Sequence, residues 1–146
     1  MARLLTAVML VLGLSAAAAD DTERDELARL NGTWKALTVV KDGKDLPKPE
    51  AEAMVLTIAG EKHTIKTIDQ QIEGTHKLDP TKKPKQIDGT RTKGPDAGQK
   101  MLGIYELKGD TLTVCFAAAG KTERPTDFKS ESGSGNKLIT LKREKP

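Results

Sequence analysis

The sequence has few of the residues that usually build catalytic or metal sites, with one cysteine and two histidines among 146 residues. A single cysteine cannot form an intramolecular disulfide, so the fold must be stabilised by packing rather than by cross-links. Two histidines are a small supply of metal ligands. Aromatic residues make up 3% of the chain. This scarcity argues against a spacious, ring-lined ligand chamber.

The charge of the chain gives no reason to expect a polyanionic partner, because its formal net charge is only +3. The densest basic segment, "PTKKPKQIDGTRTK" (residues 80–93), contains no aromatic residue that could stack on a base. Aromatic platforms and a strongly basic patch are the usual marks of nucleic-acid binding. We therefore expect no nucleic-acid partner, and we interpret the lysines and arginine of this segment as a solvated face.

The N-terminus, "MARLLTAVMLVLGLSAAAADD", is typical of a secretory signal peptide. Arg3 precedes an apolar run from Leu4 to Leu14, and small residues follow up to Ala19. The run is about half of the roughly 20 residues that a membrane-spanning helix needs. Cleavage after Ala19 predicts a signal peptide at residues 1–19 and a single domain at 20–146, exported to the periplasm or the extracellular space without a membrane span. An uncleaved interfacial helix is the alternative.

Beyond the signal peptide, the pattern changes from one short helix to many short strands. Asp21 or Thr22 is a predicted N-cap, and Asn31 with Gly32 is a predicted stop for an amphipathic helix. Eight runs rich in β-branched residues follow, separated by Gly, Pro, Asp and Lys, which predicts an all-β antiparallel sandwich or barrel. They are "TWKALTVVK", "MVLTIAG", "KHTIKTI", "IEGTHKL", "PKQIDGTRT", "KMLGIYEL", "DTLTVCF" and "NKLITLKR".

The stretch "GIYELKGDTLTVCF" (residues 103–116) contains half of the aromatic residues and the single cysteine. A turn at Gly109 and Asp110 predicts a β-hairpin in which Gly103 faces Phe116 and leaves room for its ring. Cys115 then lies on the other face, with Leu102 and Ile104. The inward face is predicted to comprise Met101, Tyr105, Leu107, Leu112, Val114 and Phe116.

A second hairpin is predicted to bring the two histidines together. With Asp69 and Gln70 as its loop, His63 lies opposite His76 on the inward face, and Lys66 lies opposite Glu73 on the wet face. A three-residue loop, which would separate the histidines, is the alternative. Two imidazoles with no nearby carboxylate or thiolate are a weak candidate for a metal site, so no dedicated metal is expected.

Four local patterns, "LNGTW", "PKQID", "GIYELKGDTLTVCF" and "RPTDF", occur in an order and spacing that resembles a known family. This is the lipocalin-like domain family of unknown function that is expanded in planctomycete bacteria. The similarity runs from about Leu27 to Arg143. It implies a lipocalin-like β-barrel of about eight strands whose N-terminal helix closes one end, and it implies no known activity.

The broader lipocalin pattern places Gly-x-Trp on the first strand, with an arginine from near the last strand packed over the indole. Gly32 and Trp34 match it, and either Arg143 or Arg124 could supply the guanidinium. A flat cation can stack on tryptophan while its donors cap backbone carbonyls. All four residues are therefore expected to be structural.

No set of residues predicts catalysis. Cys115 lies between Val114 and Phe116 with no histidine near it in sequence, which favours a buried, inert thiol. Neither Gly-x-Ser-x-Gly nor a phosphate-binding glycine loop is present. Asp88 is expected to bond locally in a turn or to pair with Lys85. We therefore expect neither an enzyme nor a cofactor.

The remaining hypothesis is a binding module whose barrel takes a small apolar or amphipathic molecule, since an eight-stranded barrel can hold one small ligand. The alternative is a protein-interaction or envelope module with a filled core, whose rim loops, residues 42–52 and 117–127, bind an envelope protein. For the first hypothesis, the predicted ligand contacts are Tyr105, Leu107, Leu112, Val114 and Phe116.

Overall fold

The structure, a computed structural model that describes residues 14–145, consists of one N-terminal helix and a closed barrel of antiparallel strands. The predicted all-β fold, a barrel of eight strands preceded by a short helix, is confirmed. Residues 1–13, which begin the predicted signal peptide, lie outside the described residues. No described helix is both long enough and apolar enough to cross a membrane.

Nine strands and two helices make up the described chain, and all eight predicted β-runs form strands. The helices are α1 (Leu14–Leu30) and α2 (Lys48–Glu52). The strands are β1 (Gly32–Lys41), β2 (Lys44–Asp45), β3 (Val55–Ala59), β4 (Lys62–Lys66), β5 (Gln71–Asp79), β6 (Lys85–Lys93), β7 (Lys100–Lys108), β8 (Thr111–Phe116) and β9 (Lys137–Arg143).

The barrel is an up-and-down meander in which β3 to β9 pair in sequence order and β1 joins β3 to β9. The short β2 adds to the edge of β1 beyond Val40. Because β1 pairs on both sides, the eight long strands leave no free sheet edge, which is the usual way a β-barrel avoids edge-to-edge association.

The core follows from strand alternation. In β5, Ile72, Gly74, His76 and Leu78 are buried, and the residues between them are not. In β1 the alternation is interrupted by a bulge between Ala36 and Thr38, after which Val39 is buried. Leu37 points outward at the bulge and is 46% exposed, and the extra residue moves the next inward position from Thr38 to Val39.

The helix begins earlier than predicted. Neither Asp21 nor Thr22 caps its start, because α1 already includes residues from Leu14 onward. The reason is the alanine run at residues 16–19, since alanine has the highest helix propensity. Its C-terminal end agrees better with the prediction, with the last helical residue at Leu30. Leu27 and Leu30 pack against the barrel core and close one end of it.

The β7–β8 hairpin has the predicted register, with Gly103 opposite Phe116, Tyr105 opposite Val114 and Leu107 opposite Leu112. A Cβ built on Gly103 would lie 2.6 Å from Cδ1 of Phe116 and 2.9 Å from the Cys115 carbonyl oxygen. The absence of a side chain at this position therefore makes room for the aromatic ring, as the sequence indicated.

The Gly103→Ala variant is expected to lose about 1–3 kcal/mol of unfolding free energy, because the new methyl group overpacks a rigid ring and a backbone carbonyl. Urea denaturation followed by circular dichroism measures the loss. Gly89→Ala is a matched control, since a Cβ there meets no atom closer than 3.9 Å. Equal stability of the two variants would contradict the packing argument.

The β4–β5 hairpin has a different register from the predicted one. Its loop is centred on Ile68 and Asp69, since Thr67 N–H donates to Gln70 O at 2.9 Å, and His63 lies opposite Gly74 rather than His76. Lys66 pairs with Gln71 instead of Glu73. The difference is an even number of residues, so every side chain keeps its predicted face. The physical reason is Gly74, where any side chain would collide with the His63 ring.

Candidate functional site

A large pocket lies at the end of the barrel opposite α1. It has a volume of about 460 Å³, within the range of small-molecule sites. The final residues of β1, β6 and β8 and the first residues of β5, β7 and β9 form its rim. This mouth pocket is lined by Lys41, Met54, His63, Ile65, Thr67, Gln70, Ile72, Gly89, Thr90, Arg91, Pro95, Asp96, Met101, Phe116, Ala117, Ala118, Ala119, Gly135, Lys137 and Ile139.

A smaller apolar cavity of about 70 Å³ lies deeper in the barrel and shares Met54, His63, Ile65, Gly89, Phe116 and Ile139 with the mouth pocket. Its volume is roughly that of two water molecules in the liquid. Four of the five predicted ligand contacts line it, namely Tyr105, Leu112, Val114 and Phe116. Leu107 does not line either space and packs against the core.

Three cations belong to the mouth pocket. Lys41 and Lys137 are directly opposite each other in the β1–β9 register, and Arg91 lies on β6. Within residues 14–145, none of the three forms an ion pair with a carboxylate within 4.0 Å. Burial and the charges of Lys41 and Arg91 lower the pKa of Lys137, and Asp96 acts in the opposite direction.

Arg91 is held in place by weak contacts that leave most of its donors free. Its Nη1 donates to the Pro95 carbonyl at 3.2 Å, and its Nη2 lies 3.5 Å from the Met101 sulfur. Three of the five cations in the segment predicted to be a solvated face, Lys82, Lys83 and Lys93, are exposed, whereas Arg91 and Lys85 are only partly exposed. Lys85 Nζ lies 2.8 Å from Glu26 Oε1 at the closed end of the barrel. The side chains of Arg91 and Lys85 lie on the same inward face of β6 as Ile87 and Gly89, because side chains alternate between the two faces of a strand.

The two histidines face each other where the mouth pocket meets the lower cavity, with 2.9 Å between their Nδ1 atoms. His63 lines both spaces, and His76 lines the lower one. At this distance one Nδ1 donates a hydrogen bond and the other accepts it, so the accepting ring is neutral. Burial, followed by the charges of His76 and Arg91, lowers the pKa of His63 from 6.5 to about 4. Burial also lowers the pKa of His76. No group of three or more metal-ligating side chains occurs among the described residues.

At the closed end, the structure selects Arg143 as the residue that packs on the indole. Its guanidinium carbon lies 4.2 Å from the centre of the Trp34 ring, and its Nη2 donates to the Arg29 carbonyl at 2.6 Å. The Nη1 group donates to the Asn31 carbonyl. Trp34 Nε1 donates to the Leu30 carbonyl at 2.9 Å. These bonds satisfy carbonyls at the end of α1 and hold the helix on the barrel.

Arg124 has a different role, on the outside of the barrel. Its Nη2 lies 2.6 Å from Asp88 Oδ1, and its Nη1 donates to the Gly103 carbonyl at 2.7 Å. Asp88 therefore pairs with Arg124 and not with Lys85, because it points outward while Lys85 points toward the helix. This contact fastens the long β8–β9 connection, residues 117–136, over β6 and β7.

The same connection covers Cys115, which is fully buried and donates to the Lys129 carbonyl at 3.4 Å. Burial raises the pKa of its thiol. A protonated, enclosed thiol is a poor nucleophile. This cysteine therefore contributes packing outside the barrel wall, on the face predicted from the hairpin.

Tyr105 does not reach the mouth. It is 1% exposed, and it lies at the level of Lys85 in the β6–β7 register. Burial and the nearby carboxylate of Glu26 raise the pKa of its hydroxyl. The hydroxyl lies at the helix-capped end, so a ligand entering by the mouth meets its ring before its polar atom.

The rim segments proposed as interaction surfaces both begin at the open end. Residues 42–52 contain β2 and α2, and Ala51 of α2 is buried in the core. In the second segment, Ala117 to Ala119 line the mouth pocket, whereas Arg124 is fastened to the barrel wall.

Comparison of the chain with models of known protein families finds no match, and comparison with curated proteins finds none either. The functional argument therefore depends on the geometry and chemistry of the barrel interior. Sequence reasoning missed the mouth cations. Period-two counting back from Ile139 and onward from Gly89 would have placed Lys137 and Arg91 on the inward face.

Proposed function

We propose that the protein is an exported, non-enzymatic binding module that takes a small amphipathic molecule through the open end of its lipocalin-like barrel. The observation that carries this proposal is the stacking of two spaces with different chemistry. The mouth pocket of about 460 Å³ has polar and charged walls in its outer part, and the surface of the 70 Å³ cavity below it is almost entirely apolar, although His63 and His76 are among its lining residues.

An amphipathic ligand matches this gradient, because burial of its tail removes apolar surface from water while its head stays at the wet rim. Lys137, Ile139 and Leu141 follow each other on the inward face of β9. They span roughly 13 Å at the usual strand rise. An alkyl chain of moderate length therefore fits between the rim and the lower cavity.

Octanoate and 1-octanol are suitable probes, because they share a tail and differ in the head group. We expect at least one of them to bind the purified protein, with a calorimetric binding isotherm and a rise in melting temperature. The methyl NMR signals of Met54 and Met101, which line the mouth pocket, are expected to shift. Failure of both probes to shift these signals would count against the proposed function.

A plug variant tests whether the ligand occupies the barrel. Gly89 lines both spaces, and an added Cβ there has ordinary clearance. Gly89→Leu is expected to fold with a melting temperature close to that of the wild type and to lose most of the binding. Gly89→Ala is the control that alters the same site with little added volume. Unchanged binding by a folded Gly89→Leu protein would place the ligand elsewhere.

A further inference from the structure

The mouth pocket has an excess of positive charge that does not stabilise the fold. Lys41 and Lys137 are cross-strand neighbours, and like charges placed directly opposite each other destabilise a sheet. Arg91 adds a third cation to the same pocket, against the single carboxylate of Asp96 among its lining residues. The barrel therefore contains a repulsive cluster that substitution of either lysine would weaken.

The surroundings of these three cations favour the binding of an anion. Lys137 is partly buried on the inward face of β9 and lines the pocket above Ile139, so its charge is screened less by solvent than that of a fully exposed lysine. Arg91 uses two weak contacts and has further N–H donors available. An anionic oxygen at this position gains charge-assisted hydrogen bonds and relieves the repulsion between the cations.

We infer that the mouth pocket is an anion-selective site, in which Lys41, Arg91 and Lys137 bind the negatively charged head of an amphipathic ligand whose tail enters the barrel. This inference depends on the proposed function and deepens it, because it names the chemical class of the ligand. A carboxylate on an alkyl tail is the simplest member of that class.

The test compares octanoate, 1-octanol and octylammonium by calorimetry at constant ionic strength. Octanoate is expected to bind at least ten-fold more tightly than 1-octanol, which corresponds to one charge-assisted hydrogen bond. Octylammonium is expected to bind more weakly than 1-octanol. Acetate at the same concentrations is expected to compete poorly, since it has no tail.

The Lys137→Met variant keeps the apolar stem and removes the charge. We expect it to weaken octanoate binding about ten-fold and to change 1-octanol binding less than two-fold. Its melting temperature without ligand is expected to rise, because the repulsion from Lys41 and Arg91 is gone. A purely structural lysine would instead lower the melting temperature and weaken both ligands alike. Lys142→Met, on the outward face of the same strand, is the control and is expected to leave both affinities within two-fold.

The outcomes separate the two proposals. Equal binding of octanoate and 1-octanol overturns the anion selectivity while the binding function stands. Binding of acetate as tight as that of octanoate overturns the amphipathic part of the inference. If no probe binds, the proposed function fails and the inference fails with it. A ten-fold preference that disappears in Lys137→Met and persists in Lys142→Met supports both.

Discussion

Replacement of Trp34 by alanine is expected to lower the free energy of unfolding by about 3–5 kcal/mol. The indole is fully buried between the barrel and α1, and truncation removes its packing, its stacking on Arg143 and the hydrogen bond to Leu30. A loss of this size is a large part of the total stability of a small domain. Urea denaturation followed by far-UV circular dichroism measures it, since the variant has no tryptophan fluorescence.

Leu37→Ala is the matched control for Trp34→Ala, because it truncates a large side chain three residues further along β1. Leu37 is 46% exposed, and such surface substitutions usually change stability by about 0.5 kcal/mol or less. Core truncations of this kind usually cost several kcal/mol. If the free energy of unfolding of the Trp34→Ala protein were within about 1 kcal/mol of the wild-type value, the indole would not anchor the helix to the barrel.

Acidification is expected to destabilise the protein by about 3 kcal/mol through His63 alone, as the pH falls from 6.5 to 4. The folded-state pKa of His63, about 4, lies below its unfolded value of 6.5. Above pH 6.5 the ring is neutral in both states and the stabilisation is complete. Between the two values the unfolded chain takes up a proton that the folded chain resists, so stability is lost as the pH falls.

The measurement is a series of urea denaturations between pH 7 and pH 4 for the wild type and for His63→Gln. Glutamine does not titrate and can still bond to His76, so the difference between the two profiles isolates the histidine from the carboxylates. The wild-type profile is expected to be steeper. Parallel profiles, or an NMR titration midpoint of His63 near 6.5, would contradict the argument that burial lowers the pKa of this ring.

Local pattern was enough to predict most of the fold. β-branched runs between turn residues located all eight long strands, because short strands and tight turns depend on residues that are near in sequence. The β7–β8 register followed from Gly109 and Asp110 at its turn. The β4–β5 register could not be predicted in this way. It depends on the close packing of the His63 ring against Gly74, which lies on the neighbouring strand.

The candidate site was predictable in part. Strand alternation identified Tyr105, Leu112, Val114 and Phe116 as inward residues, but alternation says nothing about depth. How far each inward residue lies from the mouth depends on which end of the barrel α1 covers. Because α1 covers the end near Tyr105, the hydroxyl of this residue lies at the closed end. The mouth cations come from β1, β6 and β9, which are distant in sequence, and only barrel closure brings them to one rim.

Periodicity and short motifs were sufficient to predict the eight long strands, their inward faces and the structural role of Trp34, because these depend on residues that are near in sequence. The stacking of Arg143 on Trp34, the pairing of Arg124 with Asp88 and the meeting of three cations at the barrel mouth, without an ion-pair partner among the described residues, could not be predicted from local pattern. Each of these contacts joins residues from separate strands or loops, and their distances are set by closure of the sheet rather than by spacing along the chain.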